Sequence, residues 1–128
     1  MIVTASTGQA HYQTTVETET NSLVADERFA NGGKDMGFTP HDLLSASLAS
    51  CTTITLKMYA ERKKWDLQEV KASVKIMRET GAATEISCDI ELIGNLSSEQ
   101  RDRLLEIANL CPVHKVLSNP IQLNTQLI

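Results

Sequence analysis

Apolar and polar residues alternate with a period of two along several stretches of this chain. Ala10, Tyr12, Thr14 and Val16 fall on one side and His11, Gln13, Thr15 and Glu17 on the other. After a polar turn at Asn21 and Ser22 come Leu23 and Ala25, so residues 9–26 predict a β-hairpin. Farther on, Val70, Ala72, Val74 and Ile76 alternate with Lys71, Ser73 and Lys75. Beyond a turn at Gly81, Ile86, Cys88, Ile90 and Leu92 alternate with Ser87, Asp89 and Glu91. Two antiparallel strands are predicted there, one basic and one acidic on the outer face, which suits cross-strand pairing of opposite charges. A turn at Asn119 and Pro120 leads to Ile121, Leu123, Thr125 and Leu127, which predict a final strand.

Helical signals separate these strands. Thr39 can cap free N–H groups, Pro40 suits the first helical position, and Asp42 favours the positive end of the helix dipole, so a helix begins at Pro40. From Leu43 to Leu56 no residue is charged, which predicts a central helix covered by protein on every face. The stretch is shorter than the roughly 20 apolar residues a bilayer span needs and is studded with Ser and Thr, which argues against a membrane helix. Arg62, Lys63 and Lys64 fall at its expected C-terminal end, where cations complement the dipole. Ser97 with Gln100 makes a capping box, and Leu104, Ile107, Ala108 and Cys111 then form one apolar stripe that Pro112 interrupts or restarts. Between hairpin and first helix, residues 27–39 hold Gly32, Gly33 and Gly37 among polar neighbours and read as a loop. The order of strands, helix, two strands, helix and strand lacks regular βα alternation, so the class is α+β. Without repeats or linkers, residues 1–128 are expected to form a single domain.

Composition narrows the function. A hydrophobic fraction of 41% in 128 residues can build an ordinary core, and a formal charge of −4 argues against nucleic acid or anionic membrane partners. Met1 to Tyr12 mixes Thr, Ser, Gly and Gln without the pattern of a secretory leader, so a cytoplasmic location is expected. Three cysteines are too few for a secreted disulfide scaffold, and in a reducing compartment each is either core or chemistry.

Cys88, between Ile86 and Ile90 on a strand's inward face, reads as a small core hydrophobe. Cys51 lies in the uncharged helix on a line with Leu44, Leu48, Thr55 and Met58, and burial alone again favours the core reading. Only roughly 3% of an ordinary thiol is ionised at neutral pH, and desolvation lowers that further. Chemistry at Cys51 therefore requires a nearby cation; an arginine about 4 Å away would supply roughly 4 kcal/mol at an effective dielectric near 20, comparable with the desolvation cost. Cys111 precedes Pro112 and has His114 three residues on, at a helix start or kink beside an imidazole, where core and redox readings are evenly balanced. Both helices must bury the stripes that carry Cys51 and Cys111, so the two thiols can meet across one helix pair.

The stretch from Gly37 through Phe38, Thr39 and Pro40 to Cys51, together with Cys111-Pro112-Val113-His114 in a second helix and the final strand, closely resembles the OsmC/Ohr family. The likeness runs from about Arg28 to the C-terminus. It implies an OsmC-like fold in which antiparallel sheets wrap long central helices in an intertwined homodimer. It also implies a peroxidase that reduces organic hydroperoxides and is itself reset by a dithiol such as protein-bound dihydrolipoamide, with no metal or organic cofactor. Cys51 matches the peroxidatic cysteine and Cys111 the resolving one, which closes a disulfide with it. Arg28, followed by Phe29, resembles the arginine that holds the thiolate. Family peroxidases place Glu directly after the helix-starting Pro to orient that arginine, whereas here His41 stands there and Asp42 follows. A neutral His cannot pair with Arg28 as a carboxylate does; His41 can donate to the thiolate or sit at the helix surface as a cap. Ten residues, or about 15 Å of helix, separate His41 from Cys51, so one site takes both only across two chains.

Two rivals differ in class. One is a binding or redox-sensing protein of the same fold, favoured by the His41 departure. The other is a zinc site built from Cys51, Cys111 and His114, against which stands the absence of compact paired-ligand spacing.

Overall fold

A computed structural model describes all residues from Met1 to Ile128, and the chain divides into two compact units, Met1–Leu44 and Ser45–Ile128. The first is a three-stranded antiparallel sheet, β1 (Thr4–Thr7), β2 (Thr14–Glu17) and β3 (Ser22–Ala25), in that order. The predicted hairpin is β2 with β3, in a register that sets Val16 opposite Leu23. It is shorter than the alternation suggests, because residues 9–13 belong to the connection from β1. Thr18 closes its turn, the hydroxyl accepting the Asn21 N–H at 3.0 Å. Strand β1 carries no apolar alternation and every residue in it is exposed. Backbone pairing to β2 makes it a strand, a cause that side-chain patterning does not register.

In the first unit the helix α1 (Pro40–Lys63) begins as expected. Thr39 and Asp42 cap each other: the Thr39 hydroxyl accepts the Asp42 N–H at 3.1 Å, and the Asp42 carboxylate accepts the Thr39 N–H at 3.0 Å. The helix ends at Lys64, whose φ of 59° is left-handed and cannot continue the spiral.

The second unit holds the rest of α1, the hairpin β4 (Asp66–Glu79) and β5 (Thr84–Asn95), and two helices, α2 (Ser98–Ala108) and α3 (Pro112–Ser118). The hairpin register sets Val70 opposite Leu92, Ala72 opposite Ile90, Val74 opposite Cys88 and Ile76 opposite Ile86. On the outer face Lys71 stands opposite Glu91, and Arg78 reaches Glu85 at 3.5 Å, so the expected charge pairing is present. The Ser97–Gln100 capping box forms in full. Leu56, Tyr59 and Ala60 of α1, Leu67 of β4, and Leu104 and Ala108 of α2 make the core, with Trp65 edge-on to Tyr59 at 5.5 Å. Leu56 and Leu104 have no exposed surface, and each such leucine contributes roughly 1.5–3 kcal/mol.

Two expectations are corrected. Within the chain only one face of α1 is covered: Leu48, Thr52, Leu56, Tyr59 and Ala60 are buried, whereas Ile54 and Met58 are more than half exposed. Absence of charge removes the desolvation cost of burial, but it does not supply a covering layer. The final strand is also absent. Ile121–Ile128 is exposed chain without a ladder, because a strand needs a partner edge as well as an alternating pattern. No helix is long and apolar enough to cross a membrane. The mixed α+β class stands.

Candidate thiol site

The sequence candidates fall into two groups of contacts, one in each unit. In Met1–Leu44, Arg28 is anchored at the start of α1. Its Nη2 lies 3.1 and 3.4 Å from the two Asp42 carboxylate oxygens, and its Nη1 lies 3.9 Å from Asp35. The pair is about half exposed, so it does little for stability and serves chiefly to orient the guanidinium. The Thr39 backbone N–H, then its hydroxyl, and then Arg28 hold the Asp42 carboxyl below its ordinary range against an opposing effect of burial. His41, exposed in the first turn, is not the group that pairs with Arg28 among these contacts; the carboxylate comes from the next residue. The signal lay in the spacing of Thr39 and Asp42, which is that of a capping box and fixes the carboxylate's position.

Sequence reasoning passed over Asp26, which holds the loop carrying Arg28. It is buried, and its carboxylate accepts the N–H groups of Glu27 at 2.8 Å, Met36 at 3.1 Å and Lys34 at 3.3 Å. Burial pushes its pKa up, but these backbone donors, with His11, outweigh it and leave the carboxyl below its ordinary value. The loop can fold so tightly because a Cβ at Gly33 would lie 1.9 Å from the Glu27 carbonyl oxygen.

In Ser45–Ile128 the three cysteines are free thiols. Cys51 is half-buried on α1, its Sγ 3.9 Å from the Thr55 hydroxyl one turn later. Its neighbour Thr52 turns inward, with Oγ1 3.9 Å from the Sγ of Cys111. Cys111 is fully buried and is the N-cap of α3, accepting the His114 N–H at 3.3 Å, with Pro112 at the first helical position. Pro112 thus restarts the helix, and the thiol stands at the break. Cys88 is half-buried; burial pushes its thiol up against a lowering effect of Thr52, with Cys111 and Asp89 adding to the rise. Thr52, Cys88, Ile90, Ala108 and His114 are among the residues lining a cavity of about 190 Å³. The three zinc candidates do not converge: Cys51 faces Thr55, Cys111 faces Thr52, and the His114 ring faces the Ser118 hydroxyl at 3.3 Å.

A family model described as OsmC-like protein matches residues 32–126, which include α1 with Cys51 and the Cys111-Pro112 break. The chain belongs to the OsmC-like family. Solved structures agree in fold. An OsmC-like protein from Mycoplasma pneumoniae superposes with a TM-score of 0.77 at 22% identity, over 91% of this chain and 86% of that one. The organic hydroperoxide resistance protein OhrB of Bacillus subtilis gives 0.60 at 22% identity, over 90% and 87%. An organic hydroperoxide resistance protein from Elizabethkingia anophelis gives 0.64 at 20% identity, over 91% and 87%. No curated protein sequence matches the chain.

Proposed function

We propose that this OsmC-like chain is a thiol-dependent peroxidase for organic hydroperoxides. The observation that carries the reading is the contact of buried Cys111 with Thr52, the immediate neighbour of Cys51 on α1. The names of the Bacillus and Elizabethkingia proteins, both organic hydroperoxide resistance proteins, add support. In this scheme the Cys51 thiolate attacks the distal peroxide oxygen, the O–O bond breaks, and the alkoxide leaves as alcohol after taking a proton. Cys51 becomes a sulfenic acid, with which the Cys111 thiol condenses, releasing water and forming the Cys51–Cys111 disulfide. A dithiol, of which protein-bound dihydrolipoamide is one, reduces the disulfide and resets the enzyme.

Arg28 is assigned to hold the thiolate and to steady charge developing on the peroxide oxygen. Its ion pair with Asp42 supports that role, since it supplies the carboxylate that His41 does not. His41 is retained as a secondary candidate, and only across a pair of chains. The exposed Ile54 and Met58 on α1 support assembly as a homodimer, in which that face is covered.

The test is a titration of free thiols before and after one equivalent of cumene hydroperoxide, in wild type and Cys51→Ser. Rapid loss of two thiols in wild type alone is expected. Unchanged thiols would overturn the peroxidase and favour an OsmC-like binding or redox-sensing protein. That reading has its own support in an apolar surface groove of about 330 Å³ lined by Thr53, Ile54, Lys57, Met58 and Val70, among others. Arg28→Ala is expected to slow the reaction by about tenfold or more, because on this reading it removes the cation assigned to the reacting thiolate; a full rate would remove Arg28 from the scheme.

A further inference from the structure

Cys88 stands on β5 opposite Val74 and, with Thr52, Ala108 and His114, lines the cavity of about 190 Å³. Two of those lining residues touch Cys111: the Thr52 hydroxyl lies 3.9 Å from its Sγ, which also accepts the His114 N–H at 3.3 Å. Thr52, buried and next in sequence to Cys51, therefore stands between the thiol of Cys111 and the cavity that Cys88 lines. The cavity leaves open space beside Cys88 into which its sulfur can move. Cys111 stands at the break between α2 and α3, where a side chain can shift without disturbing the β4–β5 ladder.

We propose that Cys88 is a third redox thiol that takes Cys111 over from Cys51. The proposal rests on the peroxidase reading, which supplies the Cys51–Cys111 disulfide. The Cys88 sulfur, as thiolate, attacks the Sγ of Cys111. The Cys88–Cys111 bond forms, the Cys51–Cys111 bond breaks, and Cys51 leaves as thiolate, to be protonated by the proton that Cys88 released. No electrons are gained or lost overall; the oxidation is moved from one cysteine pair to another. Cys51 is then free to meet a second hydroperoxide while the first oxidising equivalent is held in the interior. Burial, which pushes the Cys88 thiol up, leaves little of it as thiolate, so the transfer follows the first disulfide slowly, and makes it a poor leaving group, so the reverse attack is slow as well.

Tryptic cleavage puts the three cysteines on separate peptides, Asp35–Lys57, Glu79–Arg101 and Leu104–Lys115. The intact protein is treated with one equivalent of cumene hydroperoxide, labelled with iodoacetamide at successive times, digested without reduction and mapped by mass spectrometry. Transfer predicts an early Cys51–Cys111 link that gives way to a Cys88–Cys111 link, with the label ending on Cys51. In Cys88→Ala the first link is expected to persist. A lasting Cys51–Cys111 link with label on Cys88 in wild type would overturn the transfer and leave the peroxidase intact. Label on all three cysteines would overturn both.

Discussion

In Met1–Leu44 a buried carboxylate, Asp26, gathers three backbone N–H groups from across a glycine-rich loop, and a second, Asp42, joins a helix cap to Arg28. In Ser45–Ile128 the corresponding work is done by apolar surface: Leu56 and Leu104 are closed off from solvent, and Tyr59 and Trp65 pack against them or beside them. Hydrogen bonds to a charged group have direction and fix the loop that carries a guanidinium, but they depend on the charge. Apolar packing has no such dependence and fails instead when volume is lost. The unit that orients a cation is thus sensitive to acid, and the unit that holds the thiols is sensitive to cavities.

That contrast can be broken by substitutions chosen on each side. Leu104→Ala is expected to cost about 2–5 kcal/mol, because it leaves a cavity in the core of the second unit. Trp65, the sole tryptophan and part of that core, reports the loss as an earlier urea transition in fluorescence. Gly33→Ala is expected to cost about 1–3 kcal/mol, since its Cβ would meet the Glu27 carbonyl oxygen at 1.9 Å and the loop must open. Nuclear magnetic resonance should place its shifts in residues 26–37, while the Trp65 transition moves little. An equal loss by both probes would show that the two units unfold as one. Ser97→Ala, which removes half of a capping box, is expected to cost about 1 kcal/mol, read from the same Trp65 transition.

Acid gives the smallest effect. Asp26 and Asp42 are both held below the ordinary carboxylate value of 3.8, so the unfolded chain binds protons before the folded one does. Their contribution is whole above that value and is lost as the pH falls through the lower folded values. The amide resonances of Lys34 and Met36 are expected to move in this acid range, and Asp26→Asn should remove the movement. A titration unchanged by that substitution would sink the assignment.

How much of this the sequence shows depends on what kind of force builds each part. Helices α1 and α2, their starts and the β4–β5 hairpin were legible because burial stamps a period on the residues, from Val70 to Leu92 most clearly. Strand β1 was not, since Thr4–Thr7 is held by backbone alone. The tail from Ile121 carries the pattern of a strand and lacks an edge to pair with, which no local pattern reveals. At the site, Cys51 and Cys111 stood out by resemblance and by their helical stripes. Asp26 did not, because its role comes from donors eight and ten residues away in a folded loop. Nor did the place of Thr52 between Cys111 and the cavity lined by Cys88, since it joins side chains from three elements whose packing is fixed only in space.

The long hairpin also bears on how quickly the second unit can assemble. Every pair from Glu79 with Thr84 to Asp66 with Asn95 is nested around a single turn, in which the Thr80 hydroxyl accepts the N–H groups of Ala82 and Ala83. Each new pair closes only the short gap left by the one before, so the chain never has to search for a distant partner. Hairpins of this kind zip in about 1–10 μs. The platform that faces α1 and α2 is therefore available early, and the slower event is the arrival of the helices upon it.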